Sequence, residues 1–372
     1  MNILTKLTLE GFRSIKSASL ELRPLNVLIG ANGAGKSNLI DFLRMLNYAL
    51  SRGFQETYLK DRGPASAILH FGPKVTPVVR AELEFRTDAG TNFYRCALAD
   101  SQGDRLTFNR EEVQFHRVGE PQPGPAIPVI PRPSDESGLA EIWAENDPTV
   151  HFVKSLMSRC RVYQFHDTSI TSFLRDYSPV DRGRYLYADG GNLPALLLAL
   201  RTEGVESYER IVRTLRLMLP WFDEFILEPE GPPQRQRVLL RWRMVGRSDY
   251  EFGPGQISDG SLRLMALVTL LLLPPDQLPN LLVIDEPELG LHPAAEVVLA
   301  GILKSVARDT QVIVATQSAS LLDHFEPEDV VVVENENGAS TFTRQNPEQL
   351  RSWLKRYTMG EIWNKNLIGG RP

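Results

Sequence analysis

Cysteine is scarce in this chain: two in 372 residues, Cys96 and Cys160. They stand far apart and form no metal-ligand spacing, which excludes a disulfide framework or a zinc module and predicts two free thiols. Long apolar runs are absent too. The longest, Leu264–Leu273, is about half of the ~20 residues that a bilayer-spanning helix needs, and the N-terminus lacks the apolar core of a secretory signal. A soluble, cytoplasmic protein without a membrane partner is expected. An excess of positive charge is also lacking. With 41 basic and 46 acidic residues the formal net charge is -5, which argues against a surface coated for nonspecific nucleic-acid binding but leaves room for a local basic groove. Finally, there is no repeat of 20–50 residues and no sustained heptad pattern, which excludes a solenoid and a long coiled-coil arm.

What remains is an ordinary globular composition, 42% hydrophobic and 23% charged, at a length sufficient for two or three domains. The first 30 residues read as short strands: alternation over Leu4–Leu9 and Ile15–Leu22, then a buried run, Leu25-Asn26-Val27-Leu28-Ile29. A helix is predicted from Lys36, with Leu39, Leu43, Leu46 and Leu50 on one face and Phe42, Met45 and Ala49 beside them. Residues 77–118 read as an antiparallel meander of four strands, Val78–Arg86, Phe93–Ala99, Arg105–Asn109 and Val113–Val118. Six prolines between Pro121 and Pro133 predict an extended linker, since proline fits neither helix interior nor central strand. Residues 139–225 read as mostly helical, including Leu193–Arg201 and Tyr208–Met218, and Val238–Trp242 opens an Arg-decorated strand. From residue 258 helices and strands alternate. Helices start near Ser258, Pro293 and Ala319, and strands run over Leu281–Ile284, Gln311–Ala315 and Val330–Glu334. Such alternation means a parallel sheet with crossover helices. The expected fold is therefore α/β. The expected segments are 1–119, the N-terminal part of the α/β head with its antiparallel β subdomain; a linker, 120–138; a mixed, mostly helical insertion, 139–255; and 256–372, the C-terminal part of the same head.

Gly30-Ala31-Asn32-Gly33-Ala34-Gly35-Lys36-Ser37 matches the phosphate-loop pattern G-x-x-x-x-G-K-S/T at every fixed position, between a buried strand and an amphipathic helix. The glycines let backbone N–H groups converge on phosphates at the positive end of the helix. Lys36 reaches the β- and γ-phosphates, and the Ser37 hydroxyl is a ligand for Mg²⁺. Leu281–Ile284 followed by Asp285-Glu286 is an apolar strand ending in two carboxylates, where open sheets bind ligands. Asp285 is placed to hold Mg²⁺, and Glu286 to orient and deprotonate the attacking water. By itself Ser258-Asp259-Gly260-Ser261 is a capped helix start. Its place between the other two motifs gives it a second meaning.

These elements in this order resemble the ABC-type ATPases of the SMC, RecF and OLD lineage, most of all the RecF/OLD-like bacterial ATPases. The closest matches are Leu9-Glu10-Gly11-Phe12-Arg13-Ser14-Ile15, Gly35-Lys36-Ser37-Asn38, and Asp285-Glu286-Pro287-Glu288-Leu289-Gly290-Leu291-His292-Pro293. The resemblance is specific over roughly 1–50 and 255–335. It implies a P-loop ATPase head that binds ATP with Mg²⁺ and forms an ATP-dependent homodimer. In that dimer Ser258–Ser261 of one subunit caps the nucleotide on the other's phosphate loop, adding Asn38 and the signature residues to the nucleotide contacts. Gln317, at the end of the next strand, stands where many members place a switch histidine. It can hydrogen-bond the γ-phosphate or water but carries no charge, which implies slow turnover. Arg13 implies a contact to nucleotide or DNA, with a plain surface arginine as the alternative. Gln55 and the His70–Gly72 turn are the two candidates for a Q-loop. No space for a TOPRIM nuclease follows Glu334, so any nuclease effector is expected on a separate protein.

Three functional readings follow. The first is an ATPase of DNA repair or antiviral defence, with duplex DNA or an effector as partner; Arg235, Arg237, Arg241, Arg243 and Arg247 would line its groove if they share a strand face, the alternative being solvated arginines. The second is a transporter nucleotide-binding subunit, disfavoured by the Ser-Asp-Gly signature and the long interval from Lys36 to Asp285. The third is an ATP-dependent regulatory scaffold of slow turnover, suggested by Gln317.

Overall fold

The computed structural model describes residues 2–140 and 147–371; the part of the helical segment at 141–146 lies outside the described residues. The strands, in chain order, are β1 (Ile3–Phe12), β2 (Ile15–Glu21), β3 (Leu25–Ile29), β4 (Val78–Thr87), β5 (Gly90–Ser101), β6 (Arg105–Arg117), β7 (Ile127–Pro128), β8 (Cys160–Tyr163), β9 (Ser178–Pro179), β10 (Phe222–Ile226), β11 (Arg237–Val238), β12 (Arg241–Met244), β13 (Arg247–Phe252), β14 (Leu281–Asp285), β15 (Gln311–Thr316), β16 (Val330–Glu336) and β17 (Ala339–Arg344). The described residues cluster into two compact units, each assembled from separate stretches. One draws on 1–162, 279–283 and 310–372; the other draws on 163–278 and 284–309.

The first unit holds two sheets. The N-terminal sheet runs β2-β1-β4-β5-β6-β7, and its neighbouring strands all pair antiparallel. Leu4, Leu7 and Leu9 all face the core although Leu4 and Leu7 are three residues apart. A register shift between Leu4 and Lys6 resets the alternation. The helix Lys36–Leu50 buries Leu39, Phe42, Leu43, Met45 and Leu46, in one core cluster with Leu7, Leu9 and Phe12; Phe12 and Phe42 meet edge to face at 5.5 Å. The second sheet runs β17-β16-β3-β15-β14-β8. β3 pairs in parallel with β15 and with β16, and β17 closes the edge antiparallel to β16. All residues of β3, β14 and β15 are buried, which is why these strands read as continuous apolar runs rather than alternating ones.

The second unit is built from the helices Leu193–Glu203, Val205–Met218, Asp259–Leu271 and Pro293–Val306 and two small antiparallel sheets, β10-β12-β13 and β9-β11. Asp259–Leu271 is buried on nearly all sides, from Leu262 to Leu271 with Arg263 as the exception, as expected of a central helix.

Four expectations change. The meander has three long strands rather than four, because 105–109 and 113–118 belong to one strand. The register passes from Ala97↔Arg110 to Leu98↔Phe108, so Asn109 is an inserted bulge residue and the charged run Arg110-Glu111-Glu112 stays in the ladder. The five arginines between 235 and 247 do not share a strand face: Arg235 ends a 3-10 turn, Arg237 is in β11, Arg241 and Arg243 in β12, and Arg247 in β13. Arg241 pairs with Glu230 at 2.6 Å and Arg243 with Glu224 and Glu251 at 2.9 and 3.1 Å, while Arg237 lies 4.5 Å over the Tyr177 ring. The helix near Ala319 is a single turn, Ala319–Leu322. In the Pro-rich stretch, Ile127–Pro128 pairs at the edge of β6 and Val129 and Ile130 are buried.

Candidate functional site

The phosphate-loop segment leaves β3 at Ile29 and enters its helix at Lys36. Side chains are excluded at two of its glycines. A Cβ on Gly30 would stand 2.2 Å from the Val333 carbonyl oxygen, and one on Gly35 would stand 2.0 Å from Ser340 Oγ. Gly35 also has φ +117 and Gly33 φ +77, backbone conformations that L side chains avoid. The helix start carries no side-chain cap, and Asn38 N donates to the Gly35 carbonyl at 3.1 Å. The Lys36 side chain is 5% exposed; its ammonium donates to the carbonyls of Gly30, at 2.5 Å, and Ala31, at 3.1 Å. Ser37 is exposed at the first turn. A loop of backbone donors, a helix dipole and one buried ammonium is an anion-binding arrangement.

β17 supports this loop. Ser340 Oγ donates to the Ala34 carbonyl at 2.6 Å and meets Ser14 Oγ at 2.6 Å, and Asn38 donates to that same Ser14 hydroxyl. Asn335, at the end of β16, reaches the Gly33 carbonyl at 3.4 Å. The Arg13 guanidinium meets Asp41 at 2.9 Å, and Tyr58 also donates to Asp41 at 2.8 Å. Gln317 follows β15 and is half-buried; the adjacent Ser318 caps the turn Ala319–Leu322. Of the Q-loop candidates, Gln55 spends its amide on the Leu106 and Asp135 carbonyls. In the other, His70 Nδ1 lies 2.6 Å from the Arg13 carbonyl.

Asp285 is the last residue of β14 and is 8% exposed. Glu286 turns the chain with φ +47, a left-handed conformation that is sparsely populated by any residue except glycine. His166 Nε2 lies 3.2 Å from the Asp285 carbonyl oxygen, which accepts a hydrogen bond if that nitrogen carries the proton.

In the second unit Ser258 is the N-cap of Asp259–Leu271: its Oγ accepts from Ser261 N at 3.2 Å and also meets Ser261 Oγ at 2.9 Å. Gly260 lies so close to the 290 loop that a Cβ there would be 2.5 Å from the Gly290 carbonyl oxygen. Asp259 is held by Arg175 at 2.7 Å. Hydrogen bonds from Arg175 and then Thr168 keep its carboxyl below the usual aspartate value. Arg175 further donates to the carbonyls of Pro254, Ile257 and Thr168, and Arg263 to those of Phe165 and His166. The segment 165–175 thus braces the signature helix start. Sequence reasoning missed Ser340, Asn335, His166, Arg175 and Arg263, each of which acts through a contact remote in sequence and carries no local motif; Ser14 was quoted within the Leu9–Ile15 match but given no role of its own.

Residues 162–323 match a family model described as "AAA domain, putative AbiEii toxin, Type IV TA system", and residues 6–120 match one described as "AAA domain". Among curated proteins, the chain is similar to the DNA replication and repair protein RecF of Magnetococcus marinus, with 41% identity over 70 residues, which is 18% of this chain and 16% of that protein. It is also similar to RecF of Acidothermus cellulolyticus, with 39% identity over 83 residues, 22% of either chain. The matches span less than a quarter of the length of these relatives. Among solved structures, an Smc head bound to the C-winged helix domain of ScpA superposes with a TM-score of 0.61 at 16% identity, covering 93% of this chain and 99% of that one. A Pyrococcus furiosus Smc head domain with an extended coiled coil, bound to the C-terminal domain of ScpA, gives 0.60 at 16% identity, with 95% and 99% covered. Likeness at this identity shows a shared fold, the α/β P-loop head.

Proposed function

We propose that this chain, an ABC-type ATPase of the RecF/SMC lineage, binds and hydrolyses ATP and closes into a homodimer in the ATP state. The observation that carries the reading is the phosphate loop: a helix start without a side-chain cap, two glycine positions closed to any side chain, and the buried Lys36 ammonium. Binding falls to Gly30–Asn38, where Lys36 exchanges its two carbonyl partners for β- and γ-phosphate oxygens. Arg13 is the outer member of the set, with Asp41 already balancing its charge.

Ser37 and Asp285 would hold Mg²⁺. A hydroxyl and a buried carboxylate are hard oxygen donors that suit this ion. Among the described residues there is no group of three or more His, Cys, Asp or Glu able to hold a metal. The donor set therefore fits an ion shared with nucleotide phosphates and water rather than an all-protein cage. When bound, Mg²⁺ neutralises charge on the phosphates. Glu286 takes the proton from the attacking water, and Gln317 orients that water or the γ-phosphate without adding charge. Ser258–Ser261 offers a capped helix start, presented by Gly260 and fixed by Arg175, that would cap the γ-phosphate on the opposite subunit.

The named role of the RecF relatives in DNA replication and repair supports duplex DNA as the partner that regulates turnover. The arginines at 241 and 243 do not contribute, since acidic neighbours already pair with them. A separate effector protein, in repair or in antiviral defence, is the second possible recipient of the switch. Light scattering on Glu286→Gln tests the proposal. A monomer that becomes a dimer with Mg-ATP, and more so with duplex DNA, is the expected result. A dimer indifferent to DNA points to the effector, and a mass unaltered by Mg-ATP contradicts the closure mechanism.

A further inference from the structure

Asn92 stands out on the buried face of the N-terminal sheet. Alternate residues of a strand share a face, and on β5 Gly90, Asn92, Tyr94, Cys96 and Leu98 turn to the buried side. Asn92 is 2% exposed, and its side-chain nitrogen Nδ2 has no hydrogen-bond partner. An orphaned buried amide costs free energy that an apolar residue of similar size avoids. Packing alone therefore does not call for asparagine here.

Asn92 lines a pocket of about 400 Å³. Phe115, its partner across the ladder, supplies one apolar wall, and Pro148 and Phe152 of the helix Pro148–Ser158 supply another. Phe152 is 37% exposed, although the same helix buries Val150 and Val153. Glycine seats the Phe115 ring: a Cβ on Gly90 would stand 2.9 Å from it and 2.1 Å from the His116 carbonyl oxygen. Arg117 faces Gly90 across the ladder, is exposed and lines the same pocket. Its guanidinium has no ion pair among the described residues. Thr87, by contrast, donates its hydroxyl to the Gly90 carbonyl at 3.0 Å. Among the described residues no acidic side chain lines the pocket, and the adjacent Asp147 carboxylate accepts from Thr149 N and Val150 N. Apolar walls, one buried donor and one unpaired cation suit an apolar ligand that ends in an anionic acceptor. Water satisfies such an amide but gains nothing from the rings beside it.

We propose that this pocket binds a small aryl carboxylate, with its ring against Phe115 and Phe152 and its carboxylate held by Asn92 Nδ2 and the Arg117 guanidinium. The site shares no residue with the phosphate loop or with Asp285 and Glu286, and the proposal stands apart from the ATP reading.

Ligand-observed NMR titration of the full chain with two probes, cinnamate and its uncharged amide cinnamamide, tests this. Cinnamate should bind saturably, and cinnamamide about tenfold more weakly, the worth of one charge-assisted contact. Arg117→Gln should erase that difference by weakening cinnamate alone. Asn92→Leu should weaken both probes about tenfold while melting no lower than the parent, because an unpaired amide is removed; if it fails to fold, Arg117→Gln decides. An absence of saturable cinnamate binding would overturn the proposal, as would parental affinities in Arg117→Gln. Lys36→Ala should bind cinnamate as the parent does. A loss there would place the probe at the phosphate loop and contradict the proposal as well.

Discussion

Gly35 shows how little freedom single residues of the loop have. Its φ of +117 and the 2.0 Å approach of Ser340 Oγ to a Cβ built there mean that Gly35→Ala strains the backbone and displaces the serine that supports Ala34. A cost of ~1–3 kcal/mol is expected from the conformation alone. The variant should melt lower than the parent and lose at least tenfold in ATP affinity, readable by thermal unfolding and titration. An unchanged melting temperature would mean that the loop relaxes freely. The glycine pattern was legible in the sequence because a fixed spacing reports a fixed backbone. Ser340, 305 residues away, was not legible, because a serine at the start of a strand carries no sign of what it supports. The same holds for His166 at the Asp285 carbonyl and for Arg175 at Asp259.

At the scale of elements, strands buried on both faces announced themselves: β3, β14 and β15 are unbroken apolar runs. β6 did not, because Arg110-Glu111-Glu112 looks like a loop, yet Glu111 is among the most buried carboxylates of the chain, 1% exposed. Tyr94, Ser137 and Gly138 donate to it at 2.8, 2.5 and 2.7 Å. Burial outweighs these donors and raises its pKa above that of an ordinary glutamate. The folded state then holds this proton more tightly than the unfolded chain. The contribution of Glu111 to stability therefore rises as pH falls through its raised pKa, and is complete below the pKa of a glutamate in the unfolded chain. Glu111→Gln should remove this component. In urea unfolding, the parent should gain stability relative to the variant on going from pH 8 to pH 5. Parallel curves for the two proteins would show that Glu111 ionises as freely folded as unfolded.

At the scale of the whole molecule, the α/β head was legible from the order of motifs, and two separate stretches, 1–119 and 256–372, were expected to build it; the compact units divide differently, with 284–309 grouped with 163–278, since periodicity reports elements and not which of them cluster. The trans role proposed for the signature belongs at this scale. Ser258→Arg puts a long cation where a hydroxyl now caps the helix Asp259–Leu271. It should leave ATP binding to the isolated chain within about twofold of the parent while abolishing ATP-driven dimerisation. Undiminished dimerisation of this variant in sedimentation would refute the trans contact.

Single-turnover hydrolysis of Mg-ATP by the parent and by Glu286→Gln, with binding measured alongside, tests the central claim most directly. The account predicts that both proteins bind ATP and that the variant cleaves it about 10²- to 10⁴-fold more slowly, the range that loss of a general base produces. Cleavage at the parental rate by Glu286→Gln, or none by the parent, would contradict it.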